Sequence, residues 1–296
     1  MSIDIAHYHG WQGSLRSPWL ASLAIVRVAL VQVFRRKAYW LVLALGLGHF
    51  LFDWIWIYGI TQAGQVPEIR GAMLEQIGFD AAPKNGLQTG YLAFMERQSV
   101  AVMILLAFSG SLLVGSDFRL NALPFYLSRR IDRRHYIVGK LLAVGVIVSL
   151  LTTVPALLLY FEYGMFSPSL RYWIDNWRAV AAILLYGLVL AASLSILVVA
   201  LSAYLQRTAP IAITWSSLFV LPKPLRQLLV KETHNDYWNL IDPWRDIHYA
   251  GRWRFGGLRP SEDERLAPWA AAILAVACTI AVLALVRRVR AVEVVE

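Results

Sequence analysis

From residue 136 to 161 the chain runs for 26 residues with Lys140 as its sole charge, and five further stretches of 15 to 26 residues hold at most one charge each. A helix needs about 20 apolar residues to cross the hydrocarbon core of a bilayer. Inside lipid the backbone must satisfy its own hydrogen bonds, which for runs without alternating polarity leaves the α-helix. Composition agrees, with 58% hydrophobic and 16% charged residues, against about 45–50% and 25% in soluble domains. The chain therefore reads as an all-α membrane protein. A soluble enzyme, a disulfide scaffold and a disordered tail are excluded, and the lone Cys278 allows no internal disulfide framework.

Six spans are expected, at 39–60, 99–115, 136–161, 179–204, 208–222 and 267–286. The fifth is 15 residues long and ends at Pro222-Lys223-Pro224, so a kinked or re-entrant helix would also suit it. A cytoplasmic tail and elbow (1–38) precede the six-span domain (39–286), and a short cytoplasmic tail (287–296) follows it. The first residues lack an apolar core followed by a cleavage site, so the first span is expected to act as its own insertion signal.

Lys and Arg set the orientation. With both termini in the cytoplasm, the inner segments carry 14 Lys/Arg against 5 Asp/Glu, and the outer segments carry 13 of each. The net charge of +9 thus collects on the inner side. Such a face suits anionic lipid headgroups, whereas nucleic acid finds no fold-sized soluble unit to bind. The expected location is a plasma or inner membrane, crossed many times.

Ser17-Pro18 forms a helix start, with Ser as N-cap and Pro at the first helical position. In the helix that follows, Arg27, Gln32 and Arg35 fall within roughly 140° on a helical wheel. Arg27, Arg35, Arg36 and Lys37 therefore mark an interfacial elbow lying along the inner surface, its basic face at the headgroups. That elbow serves either as a surface anchor or as a dock for a cytoplasmic partner.

Between the second and third spans the chain reads GSDFRLNALPFYLSRRIDRRHYIVGKLLAV. Asp117 is placed to cap a helix, Leu120, Leu123 and Leu127 share a side by helical spacing, and Asp132 is placed to cap the third span. Gly139 would admit a neighbouring helix, and Lys140 would snorkel to the inner headgroups. Arg129, Arg130, Arg133 and Arg134 form a positive cluster that alone would serve as an inner anchor.

Through Asp117, Leu127, Ser128, Ile131, Arg133, Tyr136, Gly139, Lys140, Leu141 and Leu142 this segment resembles the permease subunits of ABC type-2 exporters. It departs from the usual pattern at Asn121-Ala122, Arg130 and Asp132. The resemblance implies a coupling loop at Asp117, Arg119, Leu123, Leu127, Arg129, Arg130, Arg133 and Arg134 that seats on a separate ATP-hydrolysing subunit. It implies ATP and Mg in that partner and none in this chain, and a second permease copy or paralogue to complete the path. Consistent with a partner-driven machine, the chain contains no GxxxxGK[ST].

Two other readings stay open: a non-transporting membrane anchor or assembly component, and a self-powered carrier. Carriers keep carboxylates or His within the membrane, and His49 and Asp53, one turn apart, are the candidates for such a path. The aromatic run Trp54, Trp56, Tyr58 places Asp53 near the outer interface, where a bond to His49 would hold it. In the outer loops, Ile69, Met73 and Ile77 suggest a short interfacial helix. Around His234, Asp236, Asp242, Asp246 and His248 the spacing matches no metal-ligand motif, so short outer helices with Trp238, Trp244 and Trp253 at the headgroups are expected before the last span. By the resemblance these line the exit. No HExxH or GxSxG is present, so hydrolysis has no support, and the substrate is not legible.

Overall fold

A computed structural model describes residues 17–62, 86–123, 132–166, 171–253 and 263–289. All described elements are helical. Five helices are long and apolar enough to cross a membrane, which makes this an all-α, multi-pass membrane fold. In chain order the helices are α1 (Pro18–Phe34), α2 (Lys37–Gln62), α3 (Gly86–Gly110), α4 (Arg133–Leu151), α5 (Thr153–Met165), α6 (Arg171–Asp175), α7 (Trp177–Leu205), α8 (Thr208–Val220), α9 (Pro222–Thr233), α10 (Pro243–Arg252) and α11 (Asp263–Arg288). The expected interfacial helix around 69–77, the segment 124–131 and residue 290 onward lie outside the described residues.

Helix α7 is the axis of the bundle. It buries a face from Ala179 to Ala203, built largely from Ala, Leu, Ile and Val with Ser193, Ser195 and Ser202 turned in among them. Small residues let its neighbours come close, the usual source of helix association where lipid offers no hydrophobic drive. Thus Gly145 of α4 faces Ser195 and Ala191, and Gly110 of α3 faces Ser202 and Val198. By contrast α2 and α11 bury little of their apolar length and stand at the edge of the bundle.

The third apolar stretch is nearly one long helix with a break at Thr152, whose φ of −117° leaves the regular helical range. Pro155 explains the break, because it has no N–H for the carbonyl of Leu151.

Helix α3 begins well before the residue at which apolarity alone starts the second span, so Glu96, Arg97 and Gln98 lie inside the helix. It ends in a π-helical turn, Ser111–Gly115, and one further helical turn, Ser116–Arg119. Asn121 then takes a left-handed φ of 51°. Leu120 therefore lies beyond the helix end and is exposed, and the expected continuous apolar side through Leu120 and Leu123 is broken.

Helix α8 has 13 residues, too few to cross by itself. It runs back alongside α3: Thr208 Oγ1 meets Ser111 Oγ at 2.7 Å, and Trp215 Nε1 donates to the Met103 carbonyl at 3.1 Å. Leu221 keeps helical angles, so α9 continues the same direction through Pro222.

Helix α1 buries Ser22, Ile25, Val26, Ala29 and Val33 and packs mainly on α4. A Cβ on Gly139 would stand 3.2 Å from Ile25 and from the Ser22 carbonyl, so the absence of a side chain there seats α1. Arg27 is exposed on α1, and Arg35, Arg36 and Lys37, which follow the helix end at Phe34, are exposed as well. Exposed too are Trp19, Leu20, Leu23, Val28 and Val31, so the outward face is apolar as well as basic.

Candidate functional site

Two buried polar clusters occupy opposite ends of the bundle. One lies where Arg119, Arg133, Arg207 and Arg288 collect, here the basic end; the other lies beside α10.

At the basic end Lys140 of α4 reaches across to the end of α3. Its Nζ stands 2.7 Å from Asp117 Oδ2 and donates to the Leu113 carbonyl at 2.5 Å, while Tyr136 Oη donates to Asp117 Oδ2 at 2.9 Å. The π-turn matters here, because its wider winding turns carbonyls off the regular ladder and leaves Leu113 able to accept from a side chain. Lys140 is 4% exposed and Asp117 9%. Snorkelling is thus ruled out for Lys140, since a carboxylate on the turn that ends α3 satisfies it inside the protein. Nor does Asp117 cap its helix: its side chain is taken by Tyr136 and Lys140. Asp132 holds the N-cap position of α4 with extended angles, yet its side chain makes no capping bond.

Trp19 packs edge-on to His135 with ring centroids 4.5 Å apart, and Ser22 Oγ donates to the His135 carbonyl at 3.0 Å. On the opposite flank, Arg288 of α11 lies over the rings of Phe118 and Tyr204. The helix ends that border the 124–131 segment are therefore tied to α1, α4, α7 and α11. Of the expected coupling residues, Asp117 is buried in this cluster; Arg119, Arg133 and Arg134 sit at its rim; Leu123 is half-buried. Leu127, Arg129 and Arg130 lie outside the described residues.

At the other end, three consecutive residues of α3 organise the cluster. Arg97 Nη2 stands 3.0 Å from Asp53 Oδ2 on α2, and Arg97 Nε donates to His49 Nε2 at 3.4 Å. Gln98 Oε1 pairs with His49 Nδ1 at 2.7 Å, and Gln98 Nε2 donates to the Gly46 carbonyl at 2.9 Å. The expected Asp53–His49 bond is replaced by this arrangement. Arginine has the stronger claim on a buried carboxylate, because a charge-assisted bond outweighs one to a neutral ring.

Glu96 points the other way, toward α10. Arg252 Nη2 donates to Glu96 Oε2, His248 Nε2 lies 3.8 Å from Glu96 Oε1, and His248 Nδ1 shares a hydrogen bond with Tyr186 Oη of α7. Gly251 makes this possible, since a side chain there would overlap the Tyr186 ring. Helix α10 starts with Asp242, whose Oδ1 accepts from Trp244 N at 3.1 Å, followed by Pro243 at its first position. Asn239 Oδ1 takes Arg226 Nη1 at 3.0 Å, and Asp242 Oδ2 lies 3.7 Å from Arg226 Nε, which fastens α9 to the base of α10.

Burial, and next the charge of Asp242, push the Asp246 carboxyl up to about 8. His248 is held well below the usual imidazole range by burial, then by Arg252, Lys223 and Arg245. Trp244 is buried and packs edge-on against Phe219 and His248, so it is not a headgroup residue. Among the described residues, no three His, Cys, Asp or Glu side chains converge as a metal site would require.

Sequence reasoning missed Glu96, Arg97, Gln98 and Tyr186. The available signal was a trio of polar residues abutting an apolar run, which reads equally as the edge of a loop. No family model matches this chain, and no curated protein matches it.

Proposed function

We propose that this chain is the permease subunit of an ATP-driven ABC-type exporter, contributing half of a path completed by a second copy or a paralogue. A separate subunit binds ATP and Mg and docks at the basic end. The carrying observation is the role of the residues on which the resemblance rests. Asp117, Tyr136 and Lys140 form one buried knot, and Gly139 seats α1 beside it. The knot joins α3 to α4 on either side of the 124–131 segment, so force applied to that segment would pass into two long helices at once.

In this reading 208–222, which is α8 continued to Pro222, makes a short sixth crossing. Thr208 stands at the level of Ser111 near the basic end, and Lys223 at the level of Trp244 near the other. The basic end, where Lys and Arg exceed Asp and Glu, is cytoplasmic by the positive-inside rule, and both termini share that side of an inner membrane. Helix α10 then lies on the outer side. From Glu96 to Asp117 is 21 helical positions, about 30 Å of rise, which matches the hydrocarbon thickness. The exposed Arg27, Arg35, Arg36 and Lys37 border the inner headgroups as an elbow.

His49 and Asp53 are also the residues a self-powered carrier would use. Their engagement by Arg97 and Gln98 fits a fixed brace between α2 and α3, and the exporter reading uses them so.

The test is charge reversal of Arg129, Arg130 and Arg133 to Glu in a tagged chain. Membrane insertion should survive and the co-purifying ATPase subunit should be lost. Unchanged recovery of that subunit would contradict the coupling loop.

A further inference from the structure

Between α3 and α8 a groove of about 230 Å³ opens on the flank of the bundle. Its walls are Ile104, Ala107 and Phe108 from α3 and Ala212, Trp215 and Phe219 from α8. Trp215 and Phe219 form a buried floor, whereas Ile104 and Phe108 are 42% and 50% exposed and form an open lip. The one polar atom of the Trp215 ring is spent on the Met103 carbonyl, which leaves the floor apolar.

At the α10 end of the groove this character changes. Lys223 and Trp244 close it, with Lys223 Nζ 5.9 Å from the centre of the Trp244 ring. Lys223 is exposed and has no carboxylate within ion-pair distance among the described residues. An exposed ammonium at the end of an apolar slot is the complement of one ligand type: an apolar chain ending in a negative charge.

We propose that this groove binds an anionic phospholipid of the surrounding bilayer, one acyl chain lying between α3 and α8 and the phosphate held by Lys223. The lipid belongs to the leaflet on the α10 side, which is the outer leaflet in the topology proposed above; the preference for a negative headgroup does not depend on that assignment. A bound chain would fill the space between α8 and its neighbour, so this lipid also fixes how tightly the short α8 lies against α3.

Native mass spectrometry of the full-length chain, titrated in detergent with phosphatidylglycerol or phosphatidylcholine of identical chains, tests it. Wild type should retain phosphatidylglycerol in preference. Lys223→Gln should reduce that preference about fivefold, the contribution of one Lys near an anionic lipid surface, and Lys223→Arg should restore it. Ala212→Phe, which fills the slot, should reduce retention of both lipids while the melting temperature is held. Equal retention of the two lipids by wild type, or an unchanged preference in Lys223→Gln, would overturn the proposal. So would Ala212→Phe leaving lipid retention intact while splitting a dimer, since the groove would then be covered by a second copy of the chain.

Discussion

Lys140 Nζ lies 2.7 Å from Asp117 Oδ2, in a site closed to water on both sides. Removing one member strands the other, which for a buried pair costs about 3 kcal/mol or more, while replacing both with neutral groups costs far less. Lys140→Met should therefore lower the melting temperature of the detergent-purified protein sharply. The double variant Asp117→Asn/Lys140→Met should recover most of the loss. Additive losses in the cycle would mean that the two groups do not act as a pair.

Gly139 is the seat of α1. A methyl group there meets Ile25 and the Ser22 carbonyl at 3.2 Å, so Gly139→Ala should be tolerated with a small shift, whereas Gly139→Leu should cost about 1–3 kcal/mol by overpacking. In a Cys278→Ala background, a buried Ser22→Cys should react slowly with maleimide, and adding Gly139→Leu should speed it. Equal rates would show that α1 does not depend on this contact.

Arg97 holds Asp53, which is 1% exposed. Arg97→Ala should destabilise by about 2 kcal/mol, less than the full cost of stranding a buried charge because the Arg97 side chain is 39% exposed. Asp53→Asn should be milder, and transport driven by a partner ATPase should persist in it. Abolished transport with unchanged stability in Asp53→Asn would favour the carrier reading.

Stability should depend on pH through α10. The Asp246 carboxyl titrates near 8 when folded and near 3.8 otherwise, so the folded state holds its proton more tightly, and stability falls as pH rises through that window. His248 acts in the opposite sense: lowered from 6.5, it releases its proton on folding, and stability falls as pH drops below 6.5. Within α10 the two slopes oppose each other below 6.5, and from 6.5 to 8 Asp246 is the group of this helix that acts. Melting temperature should thus decline across pH 6.5 to 8, and Asp246→Asn should flatten that decline. A wild-type curve that rises over the same interval would contradict the assignment.

Helix positions were legible in the sequence where apolarity is local. The stretch expected at 179–204 is α7, and that at 267–286 lies inside α11. Errors arose at polar residues whose partners lie far along the chain. Glu96, Arg97 and Gln98 read as loop because hydropathy counts them as polar, yet α2 and α10 satisfy them. Lys140 likewise carried no sign of Asp117, since a 23-residue separation obeys no helical spacing. Gly139, by contrast, was readable as a site of close approach, because a glycine inside an apolar helix has few other uses. What covers α2 and the outward face of α1 depends on other molecules, which no intrachain pattern encodes.

The most direct test of the exporter reading is purification of the tagged chain in mild detergent from cells expressing its native neighbours, with mass spectrometry and an ATPase assay of what accompanies it. The reading predicts a stoichiometric, ATP-hydrolysing subunit bearing GxxxxGK[ST], lost when Arg129, Arg130 and Arg133 are reversed to Glu. A clean homomer without such a subunit would contradict it.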